Sequence, residues 1–113
     1  MSDQSKDYIK ELATLTKKYP IAISYQKLTV AGTAVSLTVP ADASYAMITL
    51  ESSIATAAVR YLELGAGSLP TSSDGLVLFN IDRTSVIGYQ NLINFRAIQV
   101  GAGTHTLHIQ YYK

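Results

Sequence analysis

Two histidines, His105 and His108, are the residues of this chain best suited to acid–base or metal chemistry. They lie in the run Thr-His-Thr-Leu-His-Ile-Gln-Tyr-Tyr, whose alternation predicts a half-buried strand. An odd separation along a strand places two side chains on opposite faces, so these imidazoles cannot bind one metal ion together. We therefore expect His105 at the rim of a sheet and His108 on its surface, and we predict no metal site.

The other groups that support catalysis are scattered or absent. The carboxylates of the body are isolated from one another, so no pair is placed for general acid and base roles: Asp42, Glu51, Glu63, Asp74 and Asp82. The glycine-bracketed segments 65–67 and 101–103 do not precede a helix, so they lack the amide nest that holds phosphates. The chain has no cysteine and no Gly-x-Ser-x-Gly motif. We predict no catalytic residue, no cofactor and no enzymatic activity.

Tyrosine is the enriched residue type, with eight copies against two phenylalanines and no tryptophan. A tyrosine can bury its ring while its hydroxyl meets a partner, which makes it common at interfaces, although rim positions of a small sandwich explain it equally. His108, Gln110 and Tyr112 share one face of the last strand, and we take them as candidate partner-binding residues. Whether the arginines form pairs between subunits or are simply solvated stays open: Arg60, Arg83 and Arg96.

The residues around these candidates predict a mainly β body. Segment 92–112 contains two β-type runs joined by Gly-Ala-Gly, which predicts a β-hairpin. Its first run changes phase near Arg96 and Ala97, which indicates either a bulge or a strand buried on both faces. Further strands are predicted at residues 21–30 (with a bulge near 26–27), 35–39, 45–50, 56–64, 76–79 and 85–89, and residues 65–75 form the longest loop. About eight short antiparallel strands predict a β-sandwich or a jelly-roll-like barrel.

Residues 1–19 carry the only helical periodicity in the chain. Tyr8, Leu12, Leu15 and Tyr19 recur at intervals of four, three and four, which predicts an N-terminal amphipathic helix that ends before Pro20. A helix of this length is marginal alone in water, so its apolar stripe needs a partner. Packing on its own sheet and docking on another subunit both remain open. We expect a helical arm over 1–19, a body over 20–113, and these four residues as candidate partner contacts.

Composition narrows the class of protein. With 113 residues and 48% hydrophobic residues, the chain is long enough for one packed domain. Charged residues make up only 15% and the net charge is +1, without a basic stripe, so we expect neither nucleic-acid nor membrane partners. The polar N-terminus lacks the apolar core of a signal peptide. We expect the protein to be made in the cytoplasm.

Five stretches of the body share a strand and turn spacing that suggests a family. The first two are Leu-Thr-Val-Ala-Gly-Thr-Ala-Val-Ser-Leu-Thr-Val-Pro, ending at Pro40, and Ala-Ser-Tyr-Ala-Met-Ile-Thr-Leu-Glu, ending at Glu51. The other three are Ala-Val-Arg-Tyr at 58–61, Leu-Pro-Thr-Ser-Ser-Asp-Gly at 69–75 and the terminal Asn-Phe-Arg-Ala-Ile-Gln-Val-Gly-Ala-Gly-Thr-His-Thr-Leu-His-Ile-Gln-Tyr-Tyr, which ends at Tyr112. Together these stretches resemble small structural proteins of tailed bacteriophages and prophages, and the resemblance spans roughly residues 22–112. The Val-Arg-Tyr…Pro-Thr…Gly section is also similar to β-sandwich modules attached to carbohydrate-active enzymes.

The resemblance implies a virion component, most simply a capsid decoration or cement protein located on the capsid surface. Its partner would be the major capsid protein or another virion protein, with a homo-oligomer on the particle and no small-molecule substrate. Two alternatives remain: a tail or head–tail accessory protein or adhesin, and a glycan-binding module.

Overall fold

The structure, a computed structural model, describes residues 20–113. These residues form eight β-strands and one short α-helix. In chain order the elements are β1 (Ala22–Val30), β2 (Val35–Ser36), β3 (Tyr45–Ser52), β4 (Ala58–Leu62), β5 (Leu76–Phe79), β6 (Arg83–Ile87), α1 (Tyr89–Asn94), β7 (Arg96–Gln99) and β8 (His105–Tyr112). The predicted N-terminal helix lies outside the described residues.

The strands form two antiparallel sheets of four strands each. The first sheet has the order β1-β8-β3-β6 and the second has the order β2-β7-β4-β5; we call them the β8 sheet and the β7 sheet. This alternation of strands between two sheets is the topology of an eight-stranded jelly roll. The prediction of a mainly β, antiparallel sandwich is confirmed.

The core lies between the inner faces of the two sheets. On β3 and β8 every second side chain is buried, and Ile48, Leu50, Leu107, Ile109 and Tyr111 are completely inaccessible to solvent. The β7 sheet and its flanking segments contribute Leu37, Val59, Leu78, Phe95 and Ala97. Each large apolar side chain buried in this way stabilises the fold by about 1.5–3 kcal/mol. The alternation predicted for β3 is therefore confirmed.

The predicted closing hairpin is wrong. Strand β7 pairs with β2 and β4, whereas β8 pairs with β1 and β3, so segment 101–103 passes from one sheet to the other. Because both strands bury one face in the same core, their alternating patterns do not indicate which of the two sheets each strand joins. The residues before β7 form α1, which buries Leu92, and the change of phase predicted near Arg96 arises from this helix.

The bulge in β1 occurs earlier than predicted. The register with β8 shifts between Ala22 and Ser24 and is regular through residues 26–27. Gln26 therefore points inward, where its Oε1 accepts hydrogen bonds from the Tyr111 hydroxyl at 2.6 Å and the Thr38 amide at 3.1 Å. Burial raises the pKa of the Tyr111 phenol to about 12.

The loop between β4 and β5 is mostly exposed, as predicted, but it is anchored to the body. The Arg60 guanidinium donates to the carbonyl oxygens of Ser72 at 3.2 Å and Gly75 at 2.8 Å. Pro70, within the loop, is buried. Because two bonds from one guanidinium fix the loop end, the loop is held against β4.

Candidate functional site

A broad groove crosses the outer face of the β8 sheet. It has a volume of about 440 Å³ and is open to solvent. We call it the outer groove, and its lining consists of Pro20, Tyr25, Tyr45, Met47, Thr49, Arg83, His108, Gln110 and Tyr112. The size and the mixture of aromatic and polar side chains fit a binding site for a ligand.

The pairing of β8 with β3 builds the floor of the outer groove. Tyr112 lies opposite Tyr45, and their rings are parallel within 7°, with centroids 4.7 Å apart. One step along the sheet, Gln110 lies between Tyr25 on β1 and Met47 on β3. The groove thus has an aromatic end and a polar middle, both fixed by backbone pairing.

A chain of three side chains borders the groove. His108 Nε2 lies 3.0 Å from Glu51 Oε1, and His108 Nδ1 lies 2.6 Å from the Tyr25 hydroxyl. A carboxylate only accepts hydrogen bonds, so Nε2 carries the proton and, in the neutral imidazole, Nδ1 accepts from Tyr25. The planes of the two rings are parallel within 15°, and their centroids lie 6.1 Å apart. The chain fixes the orientation of Tyr25, whose side chain is 58% exposed.

The other histidine is buried, and its predicted rim position is therefore wrong. His105 is completely inaccessible to solvent. Its Nε2 donates to the carbonyl oxygen of Gly101 at 3.0 Å, so its Nδ1 accepts from the Ser52 hydroxyl at 3.0 Å. A hydroxyl bonded to an imidazole is the pair of groups that nucleophilic catalysis uses. Here, however, both ring nitrogens form structural hydrogen bonds, which connect segment 101–103 to the end of β3.

The structure brings together the three candidate residues on β8. His108, Gln110 and Tyr112 all lie on the outer face, whereas the four candidates in the arm lie outside the described residues: Tyr8, Leu12, Leu15 and Tyr19. Sequence reasoning did not select Tyr25, Tyr45, Met47, Thr49, Arg83 or Glu51 for this site. The alternation of β3 contained the signal for three of them, because it placed Tyr45, Met47 and Thr49 opposite the buried residues.

A second feature is the turn between β5 and β6, residues 79–82, which we call the isoleucine turn. Its two polar side chains both bond backbone amides: Asn80 Oδ1 accepts from Ser52 N–H, and Asp82 Oδ2 accepts from Phe79 N–H, each at 2.9 Å. The backbone of Ile81 also donates to the Leu50 carbonyl at 2.8 Å. The turn is therefore fixed to the body from several sides.

The isoleucine turn displays an apolar side chain on a strained backbone. Ile81 has φ = 65° and is the only non-glycine residue with positive φ among residues 20–113. A β-branched residue in this conformation is unusual, since glycine, asparagine and aspartate fit it better. Its side chain is 81% exposed, and β5, which ends at Phe79, adds the exposed Phe79 (56%) and Val77 (39%) on one face of the strand.

Within residues 20–113, no group of three His, Cys, Asp or Glu side chains could hold a metal ion. No helix of this part of the chain is long and apolar enough to cross a membrane. Burial raises the pKa of the Glu63 carboxyl, which lies beside the loop after β4 and outside the outer groove.

Comparisons with known proteins give little further information. No protein-family model matches the chain, and no curated protein matches it. Among solved structures, a chain from the disulfide-linked pili of Bacillus endospore appendages aligns with a TM-score of 0.45 and 17% sequence identity. The alignment covers 81% of this chain and 87% of the pilus chain. At this level of similarity the functional argument depends on the surfaces described above.

Proposed function

We propose that this protein is a non-enzymatic structural protein of a bacteriophage particle, a capsid decoration or cement protein that binds and stabilises the head shell. The resemblance of residues 22–112 to phage structural proteins supports this role. The jelly roll is compatible with it, since viral capsid domains and lectins also use this fold. A fold alone does not define a function, so the attachment surface is argued from its residues.

Ile81 is the observation that carries the proposal. The left-handed conformation costs an L-residue about 1–2 kcal/mol, and an exposed side chain recovers almost none of this cost inside the body. Asparagine or glycine would hold the same turn with less strain. A strained residue that persists at an exposed position is best explained by a contact outside the chain. We propose that Ile81 inserts into an apolar pocket of the major capsid protein.

The surface around Ile81 suits such a contact. On β5, Phe79 and Val77 are also exposed apolar residues and share one face of the strand, and exposed apolar clusters are common at protein interfaces. The edge of β5 is partly closed, because the Phe79 amide is bonded to the Asp82 carboxylate. Many modest contacts repeated over a symmetric shell provide avidity.

The test uses virions of the phage or prophage that carries the gene. Cryo-EM of particles should show copies over the whole head shell, with the isoleucine turn facing the capsid. Copies restricted to the tail would contradict the decoration role and favour the tail or adhesin alternative.

A matched pair of variants tests the attachment residue. Ile81→Asn should lower the occupancy of the shell, measured on undecorated capsids mixed with purified protein. Ile87→Asn is the control, because Ile87 is also an exposed isoleucine (70%) but lies in β6, outside the isoleucine turn. Equal occupancy for wild type and Ile81→Asn would contradict the proposed contact.

A further inference from the structure

We infer that the outer groove is a binding site for a short neutral oligosaccharide. This inference does not depend on attachment to a phage shell, because none of residues 79–82 lines the outer groove, although Arg83 directly follows the isoleucine turn. Three features of the groove support it: the aromatic rings, the polar side chains that bond no other described residue, and the open shape.

The aromatic end of the groove provides a platform for a sugar ring. Tyr45 and Tyr112 stack on each other, so each ring covers one face of the other, but both residues are only half-buried and line the groove. Tyr25 stands on the other side, oriented by its 2.6 Å bond to His108. A pyranose has an apolar C–H face that packs on such rings, and a tyrosine ring combines this apolar surface with a polar tip.

The polar middle of the groove provides groups for sugar hydroxyls. Among residues 20–113, the Gln110 amide and the Arg83 guanidinium form no side-chain hydrogen bond or ion pair, and both residues are exposed. An amide both donates and accepts, a guanidinium donates, and a hydroxyl does both. Thr49 lies opposite both His108 and Arg83, between β8 and β6, and adds a further hydroxyl. A ligand rich in hydroxyl groups would satisfy these side chains together.

Other ligand classes fit the groove less well. An apolar helix would bury Gln110 and Arg83 without partners, which is costly. A nucleic-acid backbone needs a cluster of cations, whereas Glu51 places a carboxylate beside His108 at this surface. A small apolar ligand needs a more enclosed pocket. An oligosaccharide can extend beyond both ends of an open groove.

The test is a binding assay of the full chain against an array of neutral di- to hexasaccharides of glucose, galactose, mannose and N-acetylglucosamine. Positive probes are then measured by isothermal titration at millimolar sugar concentration. We expect binding by at least one probe, and we expect Tyr112→Ala to weaken it about tenfold through the lost ring contact.

Two further variants make the result specific to the groove. Gln110→Leu should weaken binding several-fold without changing the melting temperature, because the Gln110 side chain is exposed. Tyr89→Ala is the matched control, since Tyr89 is a 41% exposed tyrosine at the start of α1 that does not line the groove. Silence of the whole array would overturn the inference. Binding that survives both Tyr112→Ala and Gln110→Leu, or that falls equally in Tyr89→Ala, would also overturn it.

Discussion

Replacing Ile81 with glycine should make the protein more stable. The change removes a left-handed β-branched residue, which relieves about 1–2 kcal/mol of backbone strain. Glycine returns about 0.5–1 kcal/mol of this gain through the greater entropy of the unfolded chain. Because the Ile81 side chain is 81% exposed, almost no buried apolar area is lost. The net gain is therefore between about 0 and about 1.5 kcal/mol, with a midpoint of about 0.75 kcal/mol.

Thermal and urea unfolding followed by circular dichroism measure this gain. For a domain of this size, about 1 kcal/mol corresponds to a rise of several degrees in Tm. Ile81→Val is the control, because it keeps the β-branch and the backbone cost, and it should leave Tm nearly unchanged. A fall in stability for Ile81→Gly would refute the reasoning, since it would mean that the isoleucine packs on its own body.

Three further outcomes can be measured on the purified protein. Gly103→Ala should clearly lower Tm, because the φ of Gly103 is +119° and the new Cβ would lie 3.2 Å from the Ile54 side chain. Gly101→Ala is the control: its Cβ would have nothing within 4 Å, so its Tm should be nearly that of the wild type. The pKa of Tyr111 is raised in the folded protein, so its contribution to stability is complete below pH 10 and is lost as the pH rises toward 12. The free energy of unfolding of Tyr111→Phe should therefore fall less steeply at alkaline pH than that of the wild type. Identical slopes for the two proteins would contradict this assignment. Glu63→Gln should be more stable than wild type at neutral pH, and the difference should fade as pH falls through the raised pKa of Glu63; an unchanged difference at acidic pH would argue against burial as its cause.

The alternation of apolar and polar residues predicted the strands that bury one face and expose the other. β5 begins and ends where predicted, at Leu76 and Phe79, and the buried set on β3 follows the predicted phase. The partner sheet of each strand was not predictable in this way, because both sheets bury the same kind of face. The helix α1 gave no signal, since it is six residues long and its N-cap, Gly88, makes no side-chain capping bond.

The candidate site was predictable in part. His108, Gln110 and Tyr112 follow directly from the alternation of β8. The position of Tyr25 in the groove did not follow from alternation, because the bulge between Ala22 and Ser24 moves each later residue of β1 to the opposite face of the sheet. Ile81 could not be predicted, since isoleucine is among the residues least expected at positive φ.

The central position of β8 in its sheet has a consequence for folding during synthesis. This strand is the last of the body, yet β1 and β3 both pair with it. Contacts such as that between Tyr25 and His108 join residues 83 positions apart. A ribosome must therefore release almost the whole body before the β8 sheet can close, and until then β1 and β3 have unpaired edges. High contact order of this kind slows folding, and we expect chaperone binding to partly synthesised chains that lack β8.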